Sequence, residues 1–225
     1  MSTIPSGSAI LRTIDDLRGP AGKLEALLNA GADNASYAAL VCHPHPLGGG
    51  TMHNKVVYHA MKTLQSLGLP VLRFNFRGTG LSEGVHDGYE EQGDVLAALD
   101  WLEREFSLPI LFAGFSFGAA IGLRTCCGDE RVKGLIALGL PFHAEGRDYH
   151  YRFLPSCPQP KLFVSGTRDQ YGPHAQVEEA FRAAKQPAEL EWINDADHFL
   201  AGKLDQVQFA IRNWVQTHFL PTNVS

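Results

Sequence analysis

A serine stands between two glycines in Gly114-Phe115-Ser116-Phe117-Gly118, with the apolar run LPILFA before it and AAIGLR after it. The pentapeptide fits G-x-S-x-G, the pattern by which a strand turns sharply into a helix and lifts a serine hydroxyl out of a sheet. The free N–H groups of that helix would then lie beside the oxygen and favour developing negative charge. A serine hydroxyl is a weak nucleophile until a histidine takes its proton. The histidine in turn needs a carboxylate to fix its tautomer and stabilise the imidazolium. Downstream, KLFVSG runs into TRDQYGP, which puts Asp169 just past a strand, and AELEWIND runs into ADHF, which puts His198 in the loop after the last strand. Ser, Asp, His is the chain order of the doubly wound hydrolases. Singly, each residue has an ordinary role: a tight turn, a helix cap, a solvated surface histidine. Together they converge on the carboxyl edge of a parallel sheet, where ligands bind in such folds. Asp195, Asp197 and Asp205 compete for the acid's role, but Asp195 and Asp197 are too near His198 in sequence to sit on a separate strand loop.

Acyl transfer also needs donors for an oxyanion. One is the N–H after the nucleophile, that of Phe117, and the second belongs to the loop after the third strand, Cys42-His43-Pro44-His45-Pro46-Leu47-Gly48-Gly49-Gly50. Pro44 and Pro46 have no N–H, which leaves His45, Leu47 and the glycines, with His45 preferred and Leu47 the fallback. Leu47, Phe115, Phe142 and Tyr171 are expected to wall an apolar substrate pocket, unless these rings serve only to cover the core. His43-x-His45 would set two imidazoles on one side of an extended segment. No carboxylates accompany them, so no metal site and no cofactor is expected.

These residues need a frame, and from residue 36 onward the chain supplies one. Short apolar runs (YAALVCH, LPVLRFNF, LPILFAGF, KGLIALGL, PKLFVSG, AELEWIND) alternate with helical patterns such as NKVVYHAMKTLQSLG and YEEQGDVLAALDWLEREF. Near-continuous apolar strands separated by helices mean a parallel sheet covered on both faces. Ahead of them, SAILRTID and GKLEALLNA flank the turn-rich LRGPA and read as an antiparallel hairpin at the sheet's N-terminal edge, although KLEALLNA also suits a short helix. The fold class is therefore α/β, a doubly wound and mostly parallel sheet with helices on both faces. Residues 141–160, rich in proline and aromatics, form the one long stretch without periodicity and suit a surface loop or very small lid. A large helical cap does not fit in that length.

A chain of 225 residues suits one domain, and 44% hydrophobic with 19% charged residues is the composition of a globular protein. The net charge of -5, without a block of like charges, argues against nucleic acid and membrane surfaces as partners. No signal-peptide pattern and no apolar run of spanning length is present, which points to the cytoplasm. Cys42, Cys126, Cys127 and Cys157 lack C-x-x-C spacing and read as free thiols. The expected partner is a small ester, and a homodimer is left open.

The chain resembles the α/β-hydrolase superfamily, in the group of small, cap-poor serine hydrolases related to dienelactone hydrolase and prolyl-oligopeptidase-type enzymes. The resemblance rests on HPHPLGGGTMHNKVV, RFNFRGTGLSEG, GFSFG, GTRD and DHF, spread over residues 43–199. It implies the triad Ser116, Asp169 and His198, and an oxyanion donor from the second residue after the loop's leading histidine, which is His45. It also makes Arg77 a scaffold residue, held in an ion pair or by carbonyls. Dienelactone hydrolase itself uses a cysteine where this chain has Ser116. The activity implied is hydrolysis of carboxylic esters, with short acyl chains favoured. A thioesterase or acyltransferase would share every one of these residues. A peptidase would need an accessory domain, and a non-catalytic binding module would have lost part of the triad.

Overall fold

The computed structural model describes residues 11–144 and 146–220. Eight strands form one sheet: β1 (Leu11–Ile14), β2 (Ala26–Asn29), β3 (Ala38–Cys42), β4 (Val71–Phe74), β5 (Ile110–Phe115), β6 (Val132–Leu138), β7 (Lys161–Gly166) and β8 (Ala188–Ile193). Their spatial order is β1-β2-β4-β3-β5-β6-β7-β8. β1 pairs antiparallel with β2, and β2 antiparallel with β4, while every pairing from β4 to β8 is parallel. KLEALLNA thus resolves as a strand: its Leu28 faces Arg12 on one side and Leu72 on the other. Ser8, Ala9 and Ile10 of the expected first strand lie outside the described residues.

Among the described residues, five helices cover the sheet: α1 (Lys55–Ser66), α2 (Glu91–Phe106), α3 (Phe117–Cys126), α4 (His174–Ala183) and α5 (Leu204–His218). The apolar strands are uninterrupted because each successive side chain enters a different core. Along β3, Leu40 and Cys42 join the core beneath α2 and α3, whereas Ala39 and Val41 join the one beneath α1 and α5. Along β5, Ile110 and Phe112 go one way and Leu111, Ala113 and Phe115 the other. Each such fully buried leucine or phenylalanine stabilises the fold by about 1.5–3 kcal/mol relative to an exposed one, so the central strands are the rigid support for whatever their carboxyl ends carry.

The polar scaffold is as specific as the apolar one. Arg77 and Asp94 form a buried ion pair, with Arg77 Nη2 2.8 Å from Asp94 Oδ1, and Asp94 also accepts the Arg77 N–H. This ties the loop after β4 to α2. Residues 141–160 are not a featureless loop: His143–Ala144 pairs with Arg147–Asp148 as a small ribbon, and Leu154–Ser156 makes a short turn of 3-10 helix. Tyr151 buries its ring beneath this segment and donates its hydroxyl proton to the Pro141 carbonyl. Among the described residues no helix is long and apolar enough to cross a membrane.

Candidate active site

The elbow between β5 and α3 forms because two glycines allow the chain to fold back on itself. A Cβ on Gly118 would come within 2.5 Å of the His43 carbonyl oxygen, and one on Gly114 within 2.6 Å of the Gly118 carbonyl carbon. Only hydrogen fits at either place. Ser116 between them has φ 54° and ψ -119°, with its N–H on the Leu138 carbonyl at 2.9 Å and its own carbonyl accepting from Ala120 at 3.0 Å. The positive φ is strained for a residue with a Cβ.

The sheet brings the sequence-distant partners to this serine. His198 Nε2 lies 2.8 Å from Ser116 Oγ, and His198 Nδ1 lies 2.8 Å from Asp169 Oδ2 and 2.9 Å from Oδ1. A carboxylate beside Nδ1 requires the proton there, which leaves Nε2 free to accept from the serine hydroxyl. Asp169 Oδ1 also accepts the N–H groups of Tyr171 and Gly172, both at 2.8 Å, so the acid is held from the backbone of its own loop. The Asp169 side chain is fully buried and that of His198 is 3% exposed, so their attraction is little screened by water. The competing acids have other partners. Asp195 pairs with exposed Arg168 at 2.7 Å, Asp197 accepts the Ala201 N–H at 3.3 Å, and Asp205 sits in the first turn of α5.

The loop after β3 is pinned by its own histidines. His43 is fully buried, donates from Nδ1 to the Pro44 carbonyl at 2.6 Å and accepts the Phe76 N–H on Nε2 at 2.9 Å. Burial pushes its imidazole down to about 4, so it is neutral at neutral pH. His45 Nδ1 accepts the Leu47 N–H at 3.2 Å, and burial first, then the charges of His86 and Arg147, push this imidazole down to about 4 as well. With Leu47 so engaged, Gly48 and Gly50 donate to the His45 carbonyl and Gly49 to the Pro46 carbonyl. Among the described residues, the His45 N–H has no such acceptor. Its ring stands 5.0 Å from that of Phe117, the first residue of α3, whose N–H has no acceptor inside the helix.

The residues expected to wall the pocket are distributed unevenly. Phe115 lies 5.3 Å from the His198 ring at a shallow tilt, and Tyr171 meets the same imidazole edge-on at 4.7 Å. Phe142 packs instead on Tyr151 at 5.2 Å, and Leu47 is exposed at the rim. Sequence reasoning missed a second histidine–carboxylate pair beside the elbow. His86 Nδ1 is 2.6 Å from Glu91 Oε1, and the His86 ring stands 4.7 Å from His45 and 5.4 Å from Phe117. The spacing of His86 and Glu91 across the start of α2 was the one available signal. Among the described residues, no group of three or more histidines, cysteines or acids is arranged to hold a metal ion.

A nucleophile elbow on the central strand of such a sheet, with an acid and a histidine on the loops beyond, defines the class of α/β serine hydrolase homologues. The alpha/beta hydrolase domain model matches residues 38–214, and the chain belongs to that family. It is 36% identical over 207 residues to an uncharacterised protein of Rickettsia prowazekii, covering 88% of this chain and 87% of that one. The solved structure of an alpha-beta serine hydrolase homologue from Coxiella burnetii is 35% identical with a TM-score of 0.80, covering 95% of this chain and all (100%) of that one. A serine hydrolase from Xanthomonas campestris described as having no lid is 30% identical with a TM-score of 0.80, over 98% of this chain and 100% of that one. The present fold shares that character: between β6 and β7 only the small ribbon and a short turn intervene.

Proposed function

We propose that the protein hydrolyses carboxylic esters, with short acyl chains favoured, through an acyl-enzyme on Ser116. The observation that carries this reading is the unbroken chain of contacts from Ser116 Oγ through the His198 ring to Asp169, each link 2.8 Å long. His198 takes the serine proton as Oγ attacks the ester carbonyl, and Asp169 holds the ring and stabilises the imidazolium. The Phe117 N–H at the start of α3 and the uncommitted His45 N–H receive the oxyanion. The tetrahedral intermediate collapses, His198 gives its proton to the departing alkoxide, and Ser116 is left as an ester. Water then loses a proton to His198, attacks the acyl carbon, and the second collapse returns the proton to Ser116 Oγ with release of the acid.

The test is direct. A fluorophosphonate probe is expected to label the protein to one equivalent, at Ser116, and p-nitrophenyl acetate to be hydrolysed. Ser116→Ala is expected to lose both. Turnover that survives in that variant removes the proposal.

A further inference from the structure

Two hollows reach residues close to Ser116 without including the serine itself. One, a groove of about 570 Å³, is lined among others by Thr51, Lys55, Phe115, Phe199 and Leu204. Phe199 follows His198 directly and its ring stands 5.5 Å from the imidazole, so this groove lies on the bank of the base. The other is a cavity of about 220 Å³ whose lining includes Tyr89, Ala120, Ile121, Arg124, Arg147 and Asp148. Ala120 donates to the Ser116 carbonyl at 3.0 Å, one helical turn from the nucleophile, so this cavity opens along α3. In the mechanism above, the histidine gives its proton to the leaving oxygen. The leaving group therefore departs along the histidine's bank, and the acyl chain takes the other.

The acyl bank carries unspent positive charge. Arg147 donates to the carbonyls of Gly88 and, at 2.9 Å, Asp87, and its guanidinium lies 4.5 Å from the Tyr89 ring. Arg124 donates to the His150 carbonyl at 3.0 Å. Among the described residues neither has a carboxylate within ion-pair distance, a state they share with Arg18, Arg73, Arg152 and Arg212, but of these six only Arg124 and Arg147 line this cavity. A guanidinium has five N–H donors in a rigid fork that matches carboxylate and phosphate oxygens, so both side chains retain donors after their bonds to carbonyls. The acid in the lining, Asp148, is engaged by His143 Nδ1 at 2.6 Å. Arg147 also contributes to keeping the His45 imidazole neutral, after burial and His86, so its field reaches the loop beside the nucleophile.

We propose that this cavity receives the far end of the acyl chain, and that Arg124 and Arg147 select chains ending in an anion, a carboxylate or a phosphate. The assignment rests on the ester-hydrolase reading of Ser116 and departs from it in chain length: the acyl groups it favours are of medium length and end in an anion. Arg124 lies eight residues beyond Ser116, about 12 Å along the helix at about 1.5 Å per residue. An extended chain advances about 1.2 Å per bond, so an acyl group of roughly ten atoms spans the distance, and the reach of the arginine side chain back toward the serine lowers the need to roughly six.

The experiment compares the mono-p-nitrophenyl ester of suberic acid with p-nitrophenyl octanoate, and a phosphonate-ended octanoyl ester forms a second arm. For at least one anionic ester kcat/KM is expected to exceed that for octanoate by about tenfold, mainly through KM. The better arm identifies the anion. That ratio should shrink in roughly 1 M salt, fall toward unity in Arg124→Gln and Arg147→Gln, and be partly kept in Arg124→Lys. Arg124 is exposed on the helix surface, so its variants test the idea even if the ribbon loosens without Arg147. A ratio near one for both arms in the wild-type protein overturns the inference, and so does a ratio that survives both glutamine variants. If the wild type hydrolyses no ester of any kind, the proposed function fails instead. Titration calorimetry with suberate and octylphosphonate then decides the inference alone. Binding that is lost in the arginine variants upholds it, and no binding overturns it.

Discussion

Two histidine–carboxylate pairs sit close to Ser116, alike in distance and burial and different in what they can do. His198 and Asp169 meet at 2.8 Å, His86 and Glu91 at 2.6 Å; both acid side chains are 0% exposed, and the histidines 3% and 7%. One difference lies within the pair, since His198 Nδ1 hydrogen-bonds Asp169 whereas His86 Nδ1, among the described residues, makes no hydrogen bond in spite of its short distance to Glu91; another lies beyond it. His198 turns its far nitrogen to Ser116 Oγ, whereas the His86 ring is packed against the rings of His45 and Phe117. The acids differ too. Asp169 accepts two further backbone N–H groups, while Glu91 Oε1 accepts that of Asp87, at 3.1 Å, and among the described residues its Oε2 has no hydrogen-bond partner. Burial and a carboxylate do not make a histidine a base. A hydroxyl within reach of its second nitrogen is also needed, and without one the His86–Glu91 couple is a brace packed against His45 in the loop after β3.

This contrast is open to attack by substitution. The largest expected effect is that of His198→Ala, which removes the base and should lower kcat by about 10⁶ in a stopped assay with p-nitrophenyl acetate. Next comes Asp169→Asn, which should cost about 10⁴ in kcat with the fold retained by circular dichroism, because an amide favours the wrong tautomer. If Asp195→Asn or Asp197→Asn shows that loss instead, the acid has been assigned to the wrong loop. On the other pair, His86→Gln and Glu91→Gln should change kcat less than about tenfold but cost about 1–3 kcal/mol of stability in urea unfolding. A loss of kcat as deep as that of Asp169→Asn would erase the distinction between base and brace.

A subtler effect concerns pH. Burial keeps the folded-state value of His43 near 4, below the ordinary 6.5, so between these limits the unfolded chain takes up a proton that the native one refuses. The contribution is complete above pH 6.5 and is lost as pH falls toward 4. The slope is at most about 1.4 kcal/mol per pH unit for this one group. Urea midpoints measured across that range should show the decline, and His43→Gln should remove the share of His43 while that of His45, also pushed down to about 4, remains.

The sequence exposed the parts whose chemistry is local. Gly114 and Gly118 announce the elbow because no other residue clears the neighbouring backbone, and the carboxyl ends of β7 and β8 lead into Asp169 and His198 because strand ends are visible as the ends of apolar runs. Elimination of the prolines left His45, Leu47 and the glycines as donors, with the family resemblance pointing to His45, and the structure adds that Leu47 and the glycines spend their N–H groups inside the loop. What stayed hidden are pairings between side chains far apart in the chain. Nothing in a run of letters says that His43 caps the Phe76 N–H, that Glu91 turns inward from the first turn of α2, or that Lys161 is buried with its ammonium on the carbonyls of Cys157 and Lys185. The ribbon in residues 141–160 was missed because each of its strands is only two residues long, too short for a period to register.

The backbone angle at Ser116 has a consequence for durability. Glycine normally weakens a protein relative to alanine, because it has more freedom to lose on folding. At φ 54° that order should invert: both Ser116→Gly and Ser116→Ala lose the hydroxyl, but only alanine must still hold a Cβ in a region that costs about 1–2 kcal/mol. The glycine variant should therefore outlast the alanine variant in thermal melts while being equally inert. The proposed nucleophile thus stands where the backbone favours the one residue that could never serve as one.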